Sequence, residues 1–423
     1  MSPIKKIILF CFVLRLIAIS FSNLPKPDSA QARWYRIAIN FADGNGFSYC
    51  EKNYFPFCSE DNNSTGICSP VPIIVYSFFI KYFHKFHTEA IYIFQMALGI
   101  LSIYYFYLLG VGFYDSKNLA AFGALVWGTY FPAISLERYL MGEPLACYLL
   151  IIGLYYLFHA YKENKIISWV TSAVLIGLAA LSRSPLVYFP FLLFPVIVIQ
   201  SRHNYKLILN YSIFLFLFII VLSPWAFENK KNFGVYKFGT TLNGYNLYRF
   251  NYFIKFDDYY NRPWQSTTEF SNEFNNFLKT NDFLIGNENE HEMDKKYLNE
   301  GLTQIKKFPL RYLHISLHRF INLFSDYKLT ENRNVLWPIF GIYTFLLFIL
   351  SIISLYYNKL SALDCILYIL VFYFILGHSL VASLFRYIVP IVPFIILLSL
   401  NLIKYLNRIK SMPYFPIEDI KIK

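Results

Sequence analysis

Ten long apolar runs constrain the fold of this chain more than any other feature. Roughly 17–25 apolar residues suffice to cross a bilayer as a helix, because the hydrocarbon core is about 30 Å thick and a helix rises about 1.5 Å per residue. The runs fall near 7–22, 89–113, 118–136, 143–161, 166–182, 185–200, 206–223, 335–357, 361–381 and 384–405. This pattern predicts an all-α polytopic membrane protein with about ten transmembrane helices.

The composition supports residence in a membrane and argues against a soluble enzyme. Hydrophobic residues make up 56% of the chain and charged residues only 15%, which is too little polar surface for a soluble protein of this size. The formal net charge of +12 is not a nucleic-acid patch, because the longest polar segment, 224–334, is nearly balanced. The excess of Lys and Arg lies in short loops and at the two ends, as the positive-inside rule predicts. We therefore expect no nucleic-acid partner.

One further apolar run, 70–83, decides the topology. It is short and carries Pro70 and Pro72. If it does not cross the bilayer and the N-terminus is cytoplasmic, then nine basic residues lie in cytoplasmic turns or the tail. They are Lys117, Lys162, Lys165, Arg202, Lys206, Lys359, Lys404, Arg408 and Lys410. We therefore assign 70–83 to a juxtamembrane or re-entrant helix and place both termini in the cytoplasm.

Two long loops then face the exterior. The first, 23–88, belongs to a transmembrane module 1–223, and the second is 224–334. The C-terminal helices and a cytoplasmic tail fill 335–423. Within the second loop, 299–324 has apolar residues at helical spacing beside Arg and His, which predicts a basic amphipathic helix at the membrane surface.

Three cysteines, Cys50, Cys58 and Cys68, cluster in the first exterior loop. A disulfide between two of them is compatible with an extracytoplasmic loop. Their spacings of eight and ten residues do not form the short pair of a zinc knuckle, so no metal site is predicted.

Charged residues converge on the exterior face of the predicted bundle. They are Asp28 after the first span, Arg138 and Glu143 in LERYLMGEP, Arg183 in ALSRSP and Arg386 in SLFRYIVPIVP. Ionisable groups at a membrane boundary are costly and are therefore candidates for function. Carboxylates suit a general base, and arginines suit a lipid-linked phosphate, which a guanidinium holds with two hydrogen bonds.

Plainer interpretations stand beside these. A single Arg at a helix end commonly extends its head group to the lipid surface, and we expect this for Arg15, inside the first span. Glu143 followed by Pro144 is also an ordinary helix start, because an acid favours the first turn and Pro fits there.

Several motifs follow one another along the chain: Asp28, Tyr35, RIAIN (36–40), GNGFS (44–48), RYLMGEP (138–144), GLAALSR (177–183), SPWAFENKKNFGVYKFGTTLNGYNLYRFN (223–251) and FRYIVPIVP (385–393). Their order resembles that of the C-type-fold glycosyltransferases that use polyprenyl-phosphate sugars, in the bacterial branch related to protein O-mannosyltransferases and the lipid A aminoarabinose transferase. Two departures are visible: Glu228 stands where the family usually has Arg, and Asp28 lies ten residues before Ala38 instead of about eight. Asp43, Glu51, Glu60 and Asp61 are the alternative acids in the same loop.

The resemblance implies transfer of a sugar from an undecaprenyl or dolichyl monophosphate to a lipid, glycan or protein acceptor on the exterior face, with inversion. In a bacterium the protein would sit in the plasma (inner) membrane with its site toward the periplasm. The expected alternative is a transporter or flippase for lipid-linked glycans, and a ligase or polymerase using diphosphate-linked donors would share the topology.

The resemblance also implies roles for individual residues. Asp28 would be the base. Glu143 would assist it by aligning the acceptor or by binding a divalent cation, the one cofactor left open. The donor phosphate would be held by Arg138, Arg183 and Arg386, and the pocket would be lined by Tyr35, Arg36 and Tyr387. Trp225 and Trp264, in the second exterior loop, are candidates for stacking on sugar faces.

Overall fold

The computed structural model describes residues 2–20, 32–50, 63–201, 204–260, 274, 276, 278, 288–325, 336–358 and 360–411. Within these ranges the secondary structure is helical, with one isolated bridge between Ser48 and Ser64. The N-terminal half contains α1 (Pro3–Ser20), α2 (Ala32–Ala42), α3 (Pro70–Phe83), α4 (His87–Tyr114), α5 (Lys117–Gly128), α6 (Phe131–Leu136), α7 (Gly142–Glu163), α8 (Ile166–Ala180), α9 (Phe189–Gln200) and α10 (Tyr205–Phe233).

The C-terminal half continues the helical pattern. It contains α11 (Asn243–Asn251), α12 (Glu290–Lys307), α13 (Pro309–Ser325), α14 (Leu336–Tyr357), α15 (Ala362–Val381), α16 (Phe385–Ile388) and α17 (Val392–Ser411). Short 3-10 turns lie at His84–Phe86, Ser184–Val187, Tyr252–Lys255 and Val389–Ile391.

The chain is an integral membrane protein with an all-α polytopic fold, as predicted. Six helical stretches in the described ranges are long and apolar enough to cross a bilayer, and two shorter apolar helices accompany them. The helices of the bundle pack in series, with α7 along α8, α8 along α10, and α14 along α17. Many large apolar side chains on their outer faces are exposed, among them Phe216 and Ile342, as expected where lipid replaces water. The exact number of ten transmembrane helices stays a prediction.

The ambiguous run 70–83 forms a helix that folds back on the next one. The chain breaks at His84, whose φ of 44° lies in the left-handed region and ends α3. The Phe79 and Phe94 rings then pack 5.4 Å apart, and the Tyr76 hydroxyl reaches Gln95 Oε1 at 3.3 Å. Because α3 pairs with the first turns of α4 instead of extending it, the Pro70 end of α3 reaches the end of the bundle where the predicted site residues lie.

Helices extend into the second exterior loop beyond the predicted span, and one helix predicted there is wrong. Helix α10 does not end before Pro224 but continues to Phe233, where Gly234 in the left-handed region (φ 77°) closes it. The predicted amphipathic helix 299–324 is instead two helices, α12 and α13. Pro309 disfavours helical backbone at Phe308, whose φ and ψ are −129° and 58°.

The short basic turns gather at one end of the bundle. Lys162 Nζ donates to the Gly112 carbonyl, Asn210 Nδ2 to Asn164 Oδ1, and Lys404 lies 3.9 Å from Asp115. Each contact joins turns that the charge pattern places in the cytoplasm. The predicted site residues described below lie at the opposite end.

A buried ion pair ties α1 to the bundle and corrects the expectation for Arg15. This side chain is only 1% exposed, and its Nε donates to both carboxylate oxygens of Glu137 at 3.0 and 3.1 Å. Arg15 Nη1 donates to the Gly128 carbonyl at 2.9 Å, and the Tyr148 hydroxyl donates to Glu137 Oε1 at 2.6 Å. Arg15 does not extend to the lipid surface, because a buried carboxylate neutralises it in place.

Candidate active site

A cavity of about 330 Å³ opens at the end of the bundle opposite the basic turns. Its volume is in the range of about 300–1,000 Å³ usual for small-molecule sites. The lining comes from the first exterior loop, the helix ends after α6 and α8, the second exterior loop and the end of α15. The lining residues are Trp34, Ile67, Ser69, Gly142, Glu143, Ser182, Arg183, Ser184, Pro185, Thr240, Asn243, Asn246, Tyr373, Phe374, Gly377, His378, Val381, Ala382 and Tyr387.

Close contact between two helix ends places Glu143 beside Arg183. Met141 is extended, and α7 begins at Gly142. A Cβ at Gly142 would lie 2.1 Å from the Ser182 carbonyl oxygen, so only glycine allows the start of α7 to approach the end of α8 so closely. Glu143 then lies in the first turn of α7, and Arg183 follows α8 in extended backbone.

Two arginines face the Glu143 carboxylate. Arg183 Nη1 lies 3.2 Å from Glu143 Oε1, and Arg386 Nε lies 3.6 Å from the same oxygen. Both nitrogens are buried, and neither has a hydrogen bond of acceptable geometry in the described part of the chain. The N–O distances are those of ion pairs, but the angles are unsuitable for hydrogen bonds. These two donors are therefore held in place by charge but remain available to a better-placed acceptor.

An aromatic and an imidazole ring complete the charged side of the cavity. The Arg183 guanidinium lies 4.7 Å from the centre of the Tyr387 ring, and that of Arg386 lies 5.5 Å from it. His378 packs on Tyr387 at 4.8 Å, and its Nε2 lies 3.4 Å from Arg183 Nη2. Tyr387 thus lies against both guanidiniums, and cation–π attraction fixes their planes.

The other side of the cavity is neutral and polar, and its residues were not predicted from the sequence. It presents hydroxyls from Ser69, Ser184 and Thr240, carboxamides from Asn243 and Asn246, and the indole of Trp34. Thr240 N donates to Ser184 Oγ at 3.2 Å, which joins the second exterior loop to the end of α8. In the sequence, Thr240, Asn243 and Asn246 lie in the stretch 223–251 quoted for the family resemblance, but no pattern there marks them as site residues.

The structure does not bring every predicted residue to this cavity. Arg138 lines a separate space of about 10 Å³ with Glu137. The Tyr35 hydroxyl bonds with His87 Nε2 at 2.7 Å, and Arg36 is exposed. Arg386 lies beside Glu143 but is not itself among the lining residues. The roles predicted for these four residues stay predictions.

Asp28 and Trp264 lie outside the described residues. Trp225 belongs to α10, is 4% exposed, and donates its indole N–H to the Gly239 carbonyl at 3.2 Å. Its ring packs edge-on against Phe47, so Trp225 is a packing residue and the prediction that it stacks on a sugar is wrong.

The described residues of the first exterior loop include one disulfide-bonded cysteine, Cys50. Cys58 lies outside the described ranges, and Cys68 is buried at 2% exposure. Among the side chains that the structure describes, no group of three His, Cys, Asp or Glu forms a metal-binding cluster.

A hydrogen-bonded clamp around Glu290 holds the two exterior loops together. Glu290, at the start of α12, accepts hydrogen bonds from Thr65 Oγ1 at 2.8 Å, Gly66 N at 2.7 Å and the Thr241 hydroxyl. Burial raises the pKa of Glu290 from its ordinary value of 4.5 to about 7, against the opposing effect of these donors. The clamp fixes the loop segments 65–69 and 239–246 that supply the neutral side.

The fold is that of C-type membrane glycosyltransferases. The oligosaccharyltransferase of Archaeoglobus fulgidus, in its apo form, superposes with a TM-score of 0.57 at 14% identity, over 96% of this chain and 52% of that chain. The same organism's AglB, in complex with an inhibitory peptide and a dolichol-phosphate, superposes with a TM-score of 0.54 at 15% identity, over 96% and 52%. The chain therefore spans about half the length of these proteins.

The sequence comparison points to the same class. Residues 68–227 match the dolichyl-phosphate-mannose-protein mannosyltransferase family, and the matched segment includes Glu143 and Arg183. The predicted resemblance to C-type-fold glycosyltransferases related to protein O-mannosyltransferases is confirmed. ArnT from Cupriavidus metallidurans, bound to undecaprenyl phosphate, gives a TM-score of 0.42 at 11% identity, over 96% of this chain and 78% of ArnT. No curated protein is significantly similar to the chain in sequence.

Proposed function

We propose that this protein is a membrane glycosyltransferase that moves a sugar from a polyprenyl monophosphate carrier to an acceptor on the extracytoplasmic face. One observation carries the proposal. Arg183 and Arg386 each hold a buried N–H donor beside the cavity without a hydrogen bond of acceptable geometry in the described structure. Buried donors usually find acceptors, and exceptions call for an explanation such as an absent ligand.

A phosphate monoester or diester is the acceptor that best explains the pair. Guanidinium groups form short, charge-assisted hydrogen bonds to phosphate oxygens, and their planar fork of N–H groups can bind two of those oxygens at once. Arg183 is fixed by His378 and Tyr387, so little side-chain entropy is lost when it binds. In a low-dielectric site such preorganised donors stabilise the negative charge that grows on a leaving phosphate.

Glu143 keeps the two cations in place before the donor arrives. Its Oε1 lies near both guanidiniums, and this carboxylate offsets the cost of burying them. On donor binding the phosphate accepts hydrogen bonds from the two guanidiniums, and Glu143 aligns the acceptor or holds a divalent cation if the reaction uses one.

The reaction is a direct displacement with inversion. The acceptor hydroxyl or amine attacks the anomeric carbon, its proton passes to a carboxylate base, and the bond between that carbon and the phosphate oxygen breaks. The electron pair leaves with the polyprenyl phosphate. The base is assigned to Asp28 by the sequence resemblance, since Asp28 lies outside the described residues.

The solved relative supports the ligand class, and the basic turns support the location. AglB of the same fold was determined with a dolichol-phosphate and an inhibitory peptide, which agrees with a lipid-linked donor. The acceptor of this protein is a lipid, a glycan or a protein. In a bacterium the bundle would sit in the inner membrane with the cavity toward the periplasm, since the basic turns gather at the other end.

Turnover of defined donors tests the proposal. Purified protein in detergent is incubated with synthetic polyprenyl monophosphate sugars and a crude acceptor extract, and release of the carrier is measured. We expect release to depend on the monophosphate donor and to fall sharply in Asp28→Asn, because an amide cannot accept the proton. Asp43→Asn tests the nearest alternative acid.

The outcomes separate the competing assignments. Full activity in Asp28→Asn with loss in Asp43→Asn would move the base to Asp43. A wild-type protein that consumes only diphosphate-linked donors would be a ligase or polymerase. Binding of a lipid-linked glycan without consumption of any donor would overturn the enzyme and favour a transporter.

A further inference from the structure

Helix α11 carries two carboxamides into the neutral side of the cavity. Asn243 and Asn246 are three residues apart, so they share one face of the helix. Both line the cavity, and neither side chain has a hydrogen-bond partner among the residues that the structure describes. Two carboxamides therefore offer four donor hydrogens and two acceptor oxygens to whatever enters.

The helix is held at both ends. Asp294 Oδ1 accepts from Gly244 N at 2.8 Å and from Tyr245 N at 3.0 Å, at the positive end of the helix dipole. At the other end Arg319, 1% exposed, donates to the Phe250 carbonyl and to Asn251 Oδ1. An anion at the first turn and a cation at the last favour the dipole of this nine-residue helix.

Backbone packing fixes the remaining freedom of α11. A Cβ at Gly244 would lie 1.9 Å from the Asp294 carbonyl oxygen, so α11 and α12 touch backbone to backbone at this point. A rigid element positions recognition groups at lower entropic cost than a mobile loop. Asn243 and Asn246 are thus presented from a fixed platform.

The neighbouring hydroxyls point to the carboxamides as the recognition groups. Ser184 Oγ lies 3.3 Å from Thr240 Oγ1 and accepts from Thr240 N, so these two hydroxyls already pair with each other. The described lining on this side carries no charged side chain, and Glu143 is held between two guanidiniums. A cationic sugar would therefore meet no available carboxylate here, whereas hydroxyls would meet matching partners.

We infer that Asn243 and Asn246 are specificity-determining residues that bind the hydroxyls of the donor sugar, and that this sugar is uncharged. The inference rests on the proposed function, because the sugar reaches this side only when its phosphate lies at Arg183. Vicinal sugar hydroxyls both donate and accept, and a carboxamide can satisfy both roles at once.

Binding of carriers that differ only in the sugar tests this inference. Three ligands are used: a bare short-chain polyprenyl monophosphate, the same carrier bearing a neutral hexose, and the same carrier bearing an amino sugar. They are titrated into the wild type, the double variant Asn243→Ala/Asn246→Ala, and Asn299→Ala, which removes an exposed carboxamide from α12. The gain in affinity of the hexose carrier over the bare carrier is the measured quantity.

We expect the wild type and Asn299→Ala to show the same gain in affinity. In the double variant this gain should fall roughly tenfold to a hundredfold, because two neutral hydrogen bonds of about 1 kcal/mol each are lost. Unchanged binding of the bare carrier shows that the double variant is folded.

An equal gain in the double variant would overturn the assignment of the two residues. Tighter binding of the amino-sugar carrier than of the hexose carrier would overturn the uncharged class. Failure of the wild type to bind the bare carrier would overturn the proposed function itself, and the inference with it.

Discussion

Two glutamates six residues apart, Glu137 and Glu143, bind arginine in opposite ways. Both are buried, with side chains 5% and 11% exposed. Both carboxylate oxygens of Glu137 accept hydrogen bonds, which come from Arg15 Nε and the Tyr148 hydroxyl. Glu143 lies near Arg183 and Arg386, but the facing nitrogens lack acceptable hydrogen-bond geometry.

The comparison separates a structural ion pair from a binding site. Both clusters bury a carboxylate beside arginine, so burial next to an opposite charge does not by itself identify function. The clusters differ in two respects. In one, the carboxylate and the facing guanidinium nitrogen are already hydrogen-bonded, and in the other they are not; and only one cluster faces a large cavity. The Arg15–Glu137 cluster adjoins a space of about 10 Å³, and the Glu143 cluster faces a cavity of about 330 Å³.

The largest expected effect is on stability, at Glu137. Glu137→Ala leaves the Arg15 guanidinium buried without its counter-charge, which costs about 3–5 kcal/mol. Thermal unfolding in detergent measures the loss. Glu143→Ala is the matched control, and we expect a smaller loss there because Arg183 lines the cavity, where water can solvate it. Equal destabilisation by both changes would contradict the distinction between the clusters.

The next effect is on turnover, at Arg183. Arg183→Ala removes a preorganised donor at the leaving phosphate, and we expect a fall in kcat of about 10²–10³-fold with little loss of stability. Arg183→Lys should recover only part of it, because an ammonium keeps the charge but not the planar fork. Arg311→Ala, which removes an Arg paired with Asp257 outside the cavity, is the control. Full turnover in Arg183→Ala would refute the phosphate clamp.

A glycine beside Glu137 offers a smaller and purely steric test. A Cβ at Gly99 would lie 2.2 Å from Glu137 Oε1, so Gly99→Ala forces the carboxylate away from Arg15 and should cost about 1–3 kcal/mol. Gly377→Ala on α15 is the control, since nothing lies within 4 Å of its Cβ. Unfolding temperatures of the two variants give the comparison. A neutral Gly99→Ala would show that the Glu137 pair tolerates displacement.

The sequence predicts the helices well because an apolar run long enough to cross a bilayer has few alternatives. The predicted runs 143–161 and 361–381 appear as α7 and α15. Errors arose where local signals compete with packing. The apolar run ends at Ser223, yet helix α10 continues through Pro224 to Phe233, because Pro inside a helix is tolerated when the freed carbonyl finds another partner.

The site was predicted in part. Glu143, Arg183 and Tyr387 meet at the cavity, since charged motifs at span ends are visible in the sequence. The neutral side was missed, because Ser184, Thr240 and Asn243 are ordinary loop residues until the fold brings the two exterior loops together. Arg15 was misread for a similar reason: its partner Glu137 is 122 positions away, and only the three-dimensional packing of α1 reveals it.

A third carboxylate, Glu290, sharpens the comparison with the smallest expected effect. Its described hydrogen-bond donors, Thr65, Gly66 and Thr241, are uncharged, and its pKa is raised to about 7 by burial. Because the folded state prefers the protonated acid, the stability it contributes is complete below pH 4.5 and is lost as the pH rises through 7. The loss should be about 1–2 kcal/mol, since a change of one pH unit in pKa is worth about 1.4 kcal/mol and the side chain is partly exposed.

Glu290→Gln tests this sign directly. The amide stays neutral at every pH, so the variant should lack this part of the decline in stability between pH 5 and pH 8. Thermal unfolding across that range, with wild type and variant in the same detergent, isolates the contribution of Glu290 from that of the neighbouring Asp294, whose pKa is also raised by burial. Parallel pH profiles would show that Glu290 is ionised without penalty. The carboxylate would then resemble Glu137, whose charge is matched, more than a buried acid held by neutral donors.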